Sequence, residues 1–261
     1  MAGPFLVIFT ARSGSTALFG ELRSHPDVTM RAEVFGNAIL PGEMEQNDDN
    51  RIKFLRQYWS PFAPQAPEQD DLPAKGFKFQ VTFTNTQFGQ PARLIKVAKE
   101  YQPKIIVLRR RNILKQSISS LNAQRLLALR DKHAAEEGRG SAHVTEAQKA
   151  DIEAMKKERL VLDFDRLRHS LNNLKASYAQ LDRYAAAFPG ALEITYEDYL
   201  ADPRAVTASV FEHIGVDPAA QAKGTDYVKI TSDHLPDVIA NFNGLERFAQ
   251  NNGYSEMLTS A

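Results

Sequence analysis

The sequence predicts an α/β fold: a single domain with a central parallel sheet flanked by helices. Two observations predict it. Short, continuous apolar runs such as PFLVIFT (4–10) and KIIVLRR (104–110) have the length and β-branched content of buried strands. Between and after them come longer stretches with apolar residues at helical spacing, such as ARLIKVAKEY (92–101). Strands that alternate with helices imply a sheet wound in parallel through crossover connections.

The elements follow in order. PFLVIFT is bounded by turn residues on both sides, and from Ser15 to about Arg23 the stretch STALFGELR places Ala17, Leu18 and Leu22 on one helical face. Residues 40–75, rich in Asp, Gln, Pro and Asn, read as irregular connection around a short helix near RIKFLRQYW. GFKFQVTF (76–83) alternates Phe77, Phe79 and Val81 with Lys78, Gln80 and Thr82, the pattern of a half-buried strand. ARLIKVAKEY is an amphipathic helix closed by Pro103. KIIVLRR is a second buried strand, and NILKQSISSLNAQRLLAL after it is helical. Residues 131–158 are densely charged with few apolar anchors; they read as a solvated helix or mobile excursion, with a substrate-selecting lid as the alternative. Residues 159–187 resume a long helix carrying Leu160, Leu162, Phe164, Leu167, Leu171 and Leu174. ALEITYEDYL (191–200) opens with a strand, and DPRAVTASVFEHIG is a helix with Pro203 in its first turn and Gly215 as its stop. The expected organisation is one domain over 1–261 with an insertion at 131–158.

Composition narrows the function. The chain has 261 residues, 43% hydrophobic and 25% charged, enough for an ordinary globular core. Lys+Arg and Asp+Glu each total 32. Zero net charge argues against bulk nucleic-acid binding, which needs a broad surplus of cations. Any anion binding must rest on a local cluster. The absence of cysteine excludes disulfides, thiolate catalysis and zinc–thiolate sites. The start MAGPFLVIFTARSG lacks the basic region of a signal peptide, and no run approaches the ~20 apolar residues of a membrane span. A cytoplasmic protein without a membrane span is expected.

The first strand gives way to Arg-Ser-Gly-Ser-Thr, poor core material but good material for an anion. Backbone N–H groups of such a turn and of the first helical turn lack intrahelical partners, and the helix dipole adds to their pull on a phosphate. Gly14 allows a tight turn and close approach, while Ser13, Ser15 and Thr16 can donate hydroxyl hydrogen bonds. Arg12 adds a planar, permanent charge suited to phosphate or sulfate oxygens. No G-x-x-x-x-G-K-[ST] is present, so the loop suits one terminal phosphate rather than a triphosphate with magnesium. An ordinary strand–helix turn with a serine cap is the alternative, and this stretch alone leaves both open.

A second cluster follows the second buried strand. Arg111 and Ser119 are eight positions apart, a little over two turns at about 3.6 residues each. An arginine at the mouth of a helix and a serine two turns in can reach one phosphate. The alternative is a solvated helix start formed by Arg109 to Arg111. Two anion sites at adjacent strand ends suggest a nucleotide with two separate phosphates.

The pair TARSGST and RRNILKQSIS resembles the two cofactor motifs of sulfotransferases that use 3′-phosphoadenosine 5′-phosphosulfate (PAPS). LRSHPDVTMRAEVF, GFKFQ, ITYEDYLADP and VIANFNGLERFAQNNGYSEML are similar to further segments of bacterial carbohydrate sulfotransferases of the trehalose- and Nod-factor-modifying type. The resemblance touches residues 5–37, 76–120 and 190–257, and leaves 40–75 and 131–158 uncovered. It implies a P-loop-like sulfotransferase fold. It implies a cradle of Arg12, Ser13, Gly14, Ser15 and Thr16 for the 5′-phosphosulfate, with Arg111 and Ser119 gripping the 3′-phosphate. It also places Tyr196 near the adenine.

Sulfuryl transfer to a hydroxyl needs a base opposite the leaving phosphate. Many cytosolic family members carry a histidine two residues after a strand lysine; here that strand reads Lys78-Phe79-Gln80. Several carbohydrate sulfotransferases use a glutamate just after the first helix instead, and Glu33 in RAEVF sits there. Glu33 is the expected base, with a salt bridge to Arg31 or another loop arginine as its alternative role. Arg12 is expected to stabilise charge on the bridging oxygen; Lys78 is a second candidate, or else a solvated strand lysine. His25 reads as a loop-packing residue, His133 and His143 lie in the insertion, and His169, His213 and His234 read as surface. The resulting expectation is a PAPS-dependent sulfotransferase needing no metal, acting on a carbohydrate or glycolipid hydroxyl. A homodimer is left open. The rivals are a P-loop-like nucleotide kinase, disfavoured by the missing loop lysine, and a phosphonucleotide-binding protein that keeps the cradle without a base.

Overall fold

β1 (Pro4–Phe9) is buried from end to end, as an unbroken apolar run requires of a strand covered on both faces. After it come α1 (Ser15–Ser24), β2 (Val28–Glu33), α2 (Asp48–Trp59), β3 (Ala74–Gln80), α3 (Pro91–Tyr101) and β4 (Lys104–Arg109). The rest comprises α4 (Ile113–Glu137), α5 (Phe164–Ala186), β5 (Leu192–Thr195), α6 (Tyr196–Ala201), α7 (Pro203–Ile214), α8 (Leu235–Val238) and α9 (Phe242–Asn252). The computed structural model describes residues 2–35, 45, 47–62, 73–84, 88–137, 158–220 and 234–259, and for 126–137 the backbone alone. The charged segment 138–157 lies outside the described residues.

The chain forms two compact units, Met1–Arg111 with Asn173–Tyr227, and Asn112–Asn172 with Val228–Ala261. The first holds the sheet, in the order β2-β3-β1-β4-β5 with every neighbouring pair parallel. Successive side chains of β1 go to opposite faces. Leu6 and Ile8 join a core with Leu55 and Trp59 of α2, Leu94 and Val97 of α3, and Leu181 and Tyr184 of α5. Phe5, Val7 and Phe9 join another with Leu18 and Leu22 of α1 and Val210, Phe211 and Ile214 of α7. Each such side chain stabilises by roughly 1.5–3 kcal/mol on full burial, so packing against the sheet fixes these helices more than their weak intrinsic preferences do. Pro203 begins α7 and Gly215, with φ 86°, ends it, both as the sequence predicts.

Two strands depart from expectation. VTMRAE was not expected to be a strand at all, yet it forms β2, whose exposed Arg31 interrupts the apolar pattern. An edge strand needs no continuous apolar run. β3 loses its expected alternation at Lys78, which is buried. The face that Lys78 occupies is covered by the Phe9 and Phe19 side chains, so it does not open to water as an alternating strand would.

The second unit gathers Leu114 and Ile118 of α4 with Leu167 and Leu171 of α5, Leu235 of α8, and Leu245 and Phe248 of α9. The Asn241 side chain accepts from Leu162 N–H and donates to Leu162 C=O, both at 2.9 Å, as a strand neighbour would. Among the described residues no helix is long and apolar enough to cross a membrane.

Within the first unit, the chain leaves β1 toward one side of the sheet and later returns to lay β4 and β5 on the other. Such a reversal leaves a crevice beyond the carboxyl ends of the two central strands. The turn after β1 and the arginines after β4 border it.

Candidate active site

The turn after β1 contains two residues in the left-handed region, Arg12 at φ 62° and Gly14 at φ 87°. Gly14 is the N-cap of α1 and no side chain caps this helix, so the serine-capped turn does not form. Gly14 C=O accepts from Ala17 and Leu18 N–H at 3.0 and 3.3 Å. Ser13 is fully buried and its Oγ has no hydrogen-bond partner within the protein. A buried hydroxyl left this way costs about 1–3 kcal/mol unless a ligand supplies the partner. Ser15 is buried and Thr16 exposed, at the start of the helix.

The turn is braced from beneath. A Cβ on Gly14 would lie 2.4 Å from Cδ2 of Tyr196, the first residue of α6, so the aromatic ring occupies the space any larger residue would need. The Cζ of Arg110 lies 4.5 Å from the centre of the same ring, and its Nη1 donates to Arg12 C=O at 3.3 Å. Burial lowers the pKa of the Arg12 guanidinium, and the neighbouring charge of Arg110 lowers it further. Two cations held this close are ready to share an anion.

The three arginines at the end of β4 take different roles. Arg109 donates to Glu193 at 2.9 Å and to Asp182 at 2.7 Å. Arg110 turns to the cradle. Arg111 is largely exposed; its N–H donates to Glu197 at 3.0 Å and its Nη2 to Asp198 at 2.9 Å. Asp198 also accepts from Thr195 Oγ1 at 2.6 Å, and these bonds, Thr195 first, hold its carboxyl below the usual range. Ser119 lies on α4 in the second unit, where its side chain is buried.

Glu33 ends β2, opposite Lys78 of β3 across an irregularity in the register. Its Oε1 lies 3.5 Å from Lys78 Nζ, so it pairs with this strand lysine. Arg31 lies 5.2 Å from the centre of the Tyr58 ring. Lys78 is no solvated lysine: its Nζ sits 5.5 and 5.2 Å from the ring centres of Phe9 and Phe19. Burial lowers its pKa, and Glu33 partly opposes that. Glu33 and Lys78 stand at the carboxyl edge on the β2–β3 side of the cradle.

Of the histidines, His25 packs as expected, its Nδ1 accepting from Asp27 N–H and its Nε2 donating to Asp217 C=O at 2.9 Å. His213 is half-buried rather than superficial, with Nε2 donating to Ile105 C=O at 3.0 Å. His143 lies outside the described residues.

Arg110 was missed by sequence reasoning. Its signal was the run Arg109-Arg110-Arg111 itself, three cations at a strand end where a solvated start would need none buried.

No curated protein sequence matches the chain. Among solved structures it is similar to a sulfotransferase from Alicyclobacillus acidocaldarius, with 19% identity, 99% of this chain and 96% of that one covered, and a TM-score of 0.46. It is also similar to mouse sulfotransferase SULT7A1 complexed with PAP, at 14% identity, with 99% and 68% covered and a TM-score of 0.37. A third similarity is to retinol dehydratase in a complex with retinol and PAP, at 15% identity, with 95% and 80% covered and a TM-score of 0.41. The family model described as the sulfotransferase family matches residues 4–220, which take in the whole sheet, the cradle and the Glu33–Lys78 pair, and the chain belongs to that family.

Proposed function

We propose that the protein moves a sulfuryl group from PAPS to a hydroxyl of a carbohydrate or glycolipid, in the cytoplasm and without a metal, with Glu33 as general base. The observation that carries the donor assignment is the cradle: a buried, unpartnered Ser13 hydroxyl beside a left-handed Gly14 and the Arg12 guanidinium. PAPS, when bound, supplies the sulfuryl group and a bisphosphate leaving group.

The chain's own residues divide the remaining tasks. Ser13, Ser15, Thr16 and the amides of the first helical turn hold the 5′ end of the nucleotide. Arg12 stabilises negative charge developing on the leaving oxygen. Arg111 and Ser119 are assigned to the 3′-phosphate and Tyr196 to the nucleotide by the family resemblance. Glu33 takes the acceptor's proton. It lies on the second strand from β1, on the order of 10 Å away at the usual strand spacing, which leaves room for the acceptor between base and cradle. Lys78 positions the Glu33 carboxylate through the 3.5 Å pair. The carbohydrate or glycolipid acceptor rests on the likeness of the segment around Glu33 to carbohydrate sulfotransferases.

Sulfate transfer from labelled PAPS to a panel of sugars, glycolipids and small alcohols tests the reaction and its acceptor together. Glu33→Gln keeps the hydrogen bond from Lys78 but cannot take a proton, so turnover should fall roughly 10²–10⁴-fold with bisphosphate binding near wild type. Retained turnover moves the base elsewhere. Joint loss of binding and thermal stability makes Glu33 a partner of Lys78 only.

A further inference from the structure

A residue other than glycine stays in the left-handed region only when its surroundings hold it there. Among the described residues, Arg12 and Gln102 do so. Gln102 follows the last turn of α3, where that conformation commonly closes a helix. Arg12 lies inside the turn that forms the cradle, and its carbonyl is held by Arg110 Nη1 at 3.3 Å. Arg110 also covers the Tyr196 ring, which in turn lies against Gly14. One side chain thus reaches both left-handed residues, Arg12 directly and Gly14 through the ring.

Arg110 is itself anchored. The Tyr178 hydroxyl of α5 accepts from Arg110 N–H at 2.9 Å and donates to Arg110 C=O at 2.8 Å. One phenolic oxygen can do both. The series Tyr178, Arg110, Tyr196 therefore ties α5, the end of β4 and the start of α6 to the turn after β1. A neutral donor would hold the Arg12 carbonyl equally well without setting a second positive charge beside the Arg12 guanidinium. That repulsion becomes an advantage when an anion with more than one charge joins the pair.

We propose that Arg110 is a positioning residue of the cradle: it holds the turn in its left-handed form through the Arg12 carbonyl and the Tyr196 ring, and it supplies the second cation that favours a doubly charged terminal group. The second half rests on the cradle being the 5′-phosphate site of PAPS; the first half does not.

The test pairs hydrogen exchange of the ligand-free protein with calorimetric binding of adenosine 3′,5′-bisphosphate and adenosine 3′-phosphate. In Arg110→Gln, amides 11–16 should exchange about tenfold faster or more, with β1 and α7 unchanged. Its bisphosphate affinity should fall by about tenfold or more and its adenosine 3′-phosphate affinity by less than about twofold. Arg110→Lys, which keeps charge but not the planar stack, should be intermediate. Unchanged exchange in the turn overturns the positioning role, and equal loss of both nucleotides overturns the role of the second cation. If Arg110→Gln loosens the whole sheet, Tyr178→Phe, which removes only the anchor, decides: exchange must rise selectively in 11–16 or the proposal falls. A wild type that binds neither nucleotide overturns the PAPS reading and the second-cation role with it, while the exchange result still decides the positioning role.

Discussion

Arg12 keeps its charge in a place that opposes it, half-buried and close to Arg110. A cation so placed gains most when negative charge appears beside it, and in sulfuryl transfer that happens at the leaving oxygen in the transition state. Arg12→Ala should therefore lower turnover by roughly 10²–10³-fold while affinity for the bisphosphate product falls by much less. Steady-state kinetics set against calorimetric binding check this, and equal losses would leave Arg12 a binding residue. Lys78 and Glu33 show the same logic in reverse. Each is the other's compensation, since burial penalises the lysine and the carboxylate relieves part of that penalty. A substitution at either one alone leaves the partner in a poorer environment, which is why Glu33→Gln, with its retained hydrogen bond, is the informative change.

Elements meet at the β1–α1 turn, and Gly14 is where their demands collide. Its φ of 87° excludes other residues at a cost of about 1–2 kcal/mol, and the Tyr196 ring forbids even a methyl group there. Gly14→Ala should destabilise the fold and abolish nucleotide binding. Adding Tyr196→Ala should recover part of the stability, the part due to the ring, and leave the backbone part; chemical denaturation of the single and double variants separates the two. The start of α6 has a different task. Asp198 and Glu197 engage Arg111, but the Arg111–Asp198 pair is exposed to water and worth little to stability. A phosphate can therefore take the guanidinium from it. Arg111→Ala should weaken adenosine 3′,5′-bisphosphate binding by about 1.5–3 kcal/mol and leave adenosine 5′-phosphate binding nearly unchanged, as measured by calorimetry.

At the scale of the molecule, stability should carry the mark of His213, whose ring on α7 donates to the Ile105 carbonyl of β4. Burial lowers its folded-state pKa below 6.5. Its contribution is thus fully present above the unfolded pKa and is lost as pH falls through the folded one, because the unfolded chain binds the proton more readily. Melting temperatures measured from about pH 7 to about pH 5 should fall less steeply in His213→Gln than in wild type. Equal slopes would show that the ring titrates alike in both states. The α/β class, the strands β1 and β4, the cap residues of α7 and the tight turn at Gly14 were all legible in the sequence, because periodicity, turn chemistry and glycine placement are local properties. β2 was not, since an edge strand tolerates the polar residues that hide it. Nor was the burial of Lys78, which follows from its packing against Phe9 and Phe19. Nor was Arg110, which looks the same in sequence as the arginines on either side of it. The sequence by itself determined where the chain turns after β1 and which hydroxyl and guanidinium side chains that turn carries. Only the tertiary structure decided which arginine braces the turn and which partner holds Glu33, because those pairings join residues some 45 to 98 positions apart that meet only when the sheet is assembled.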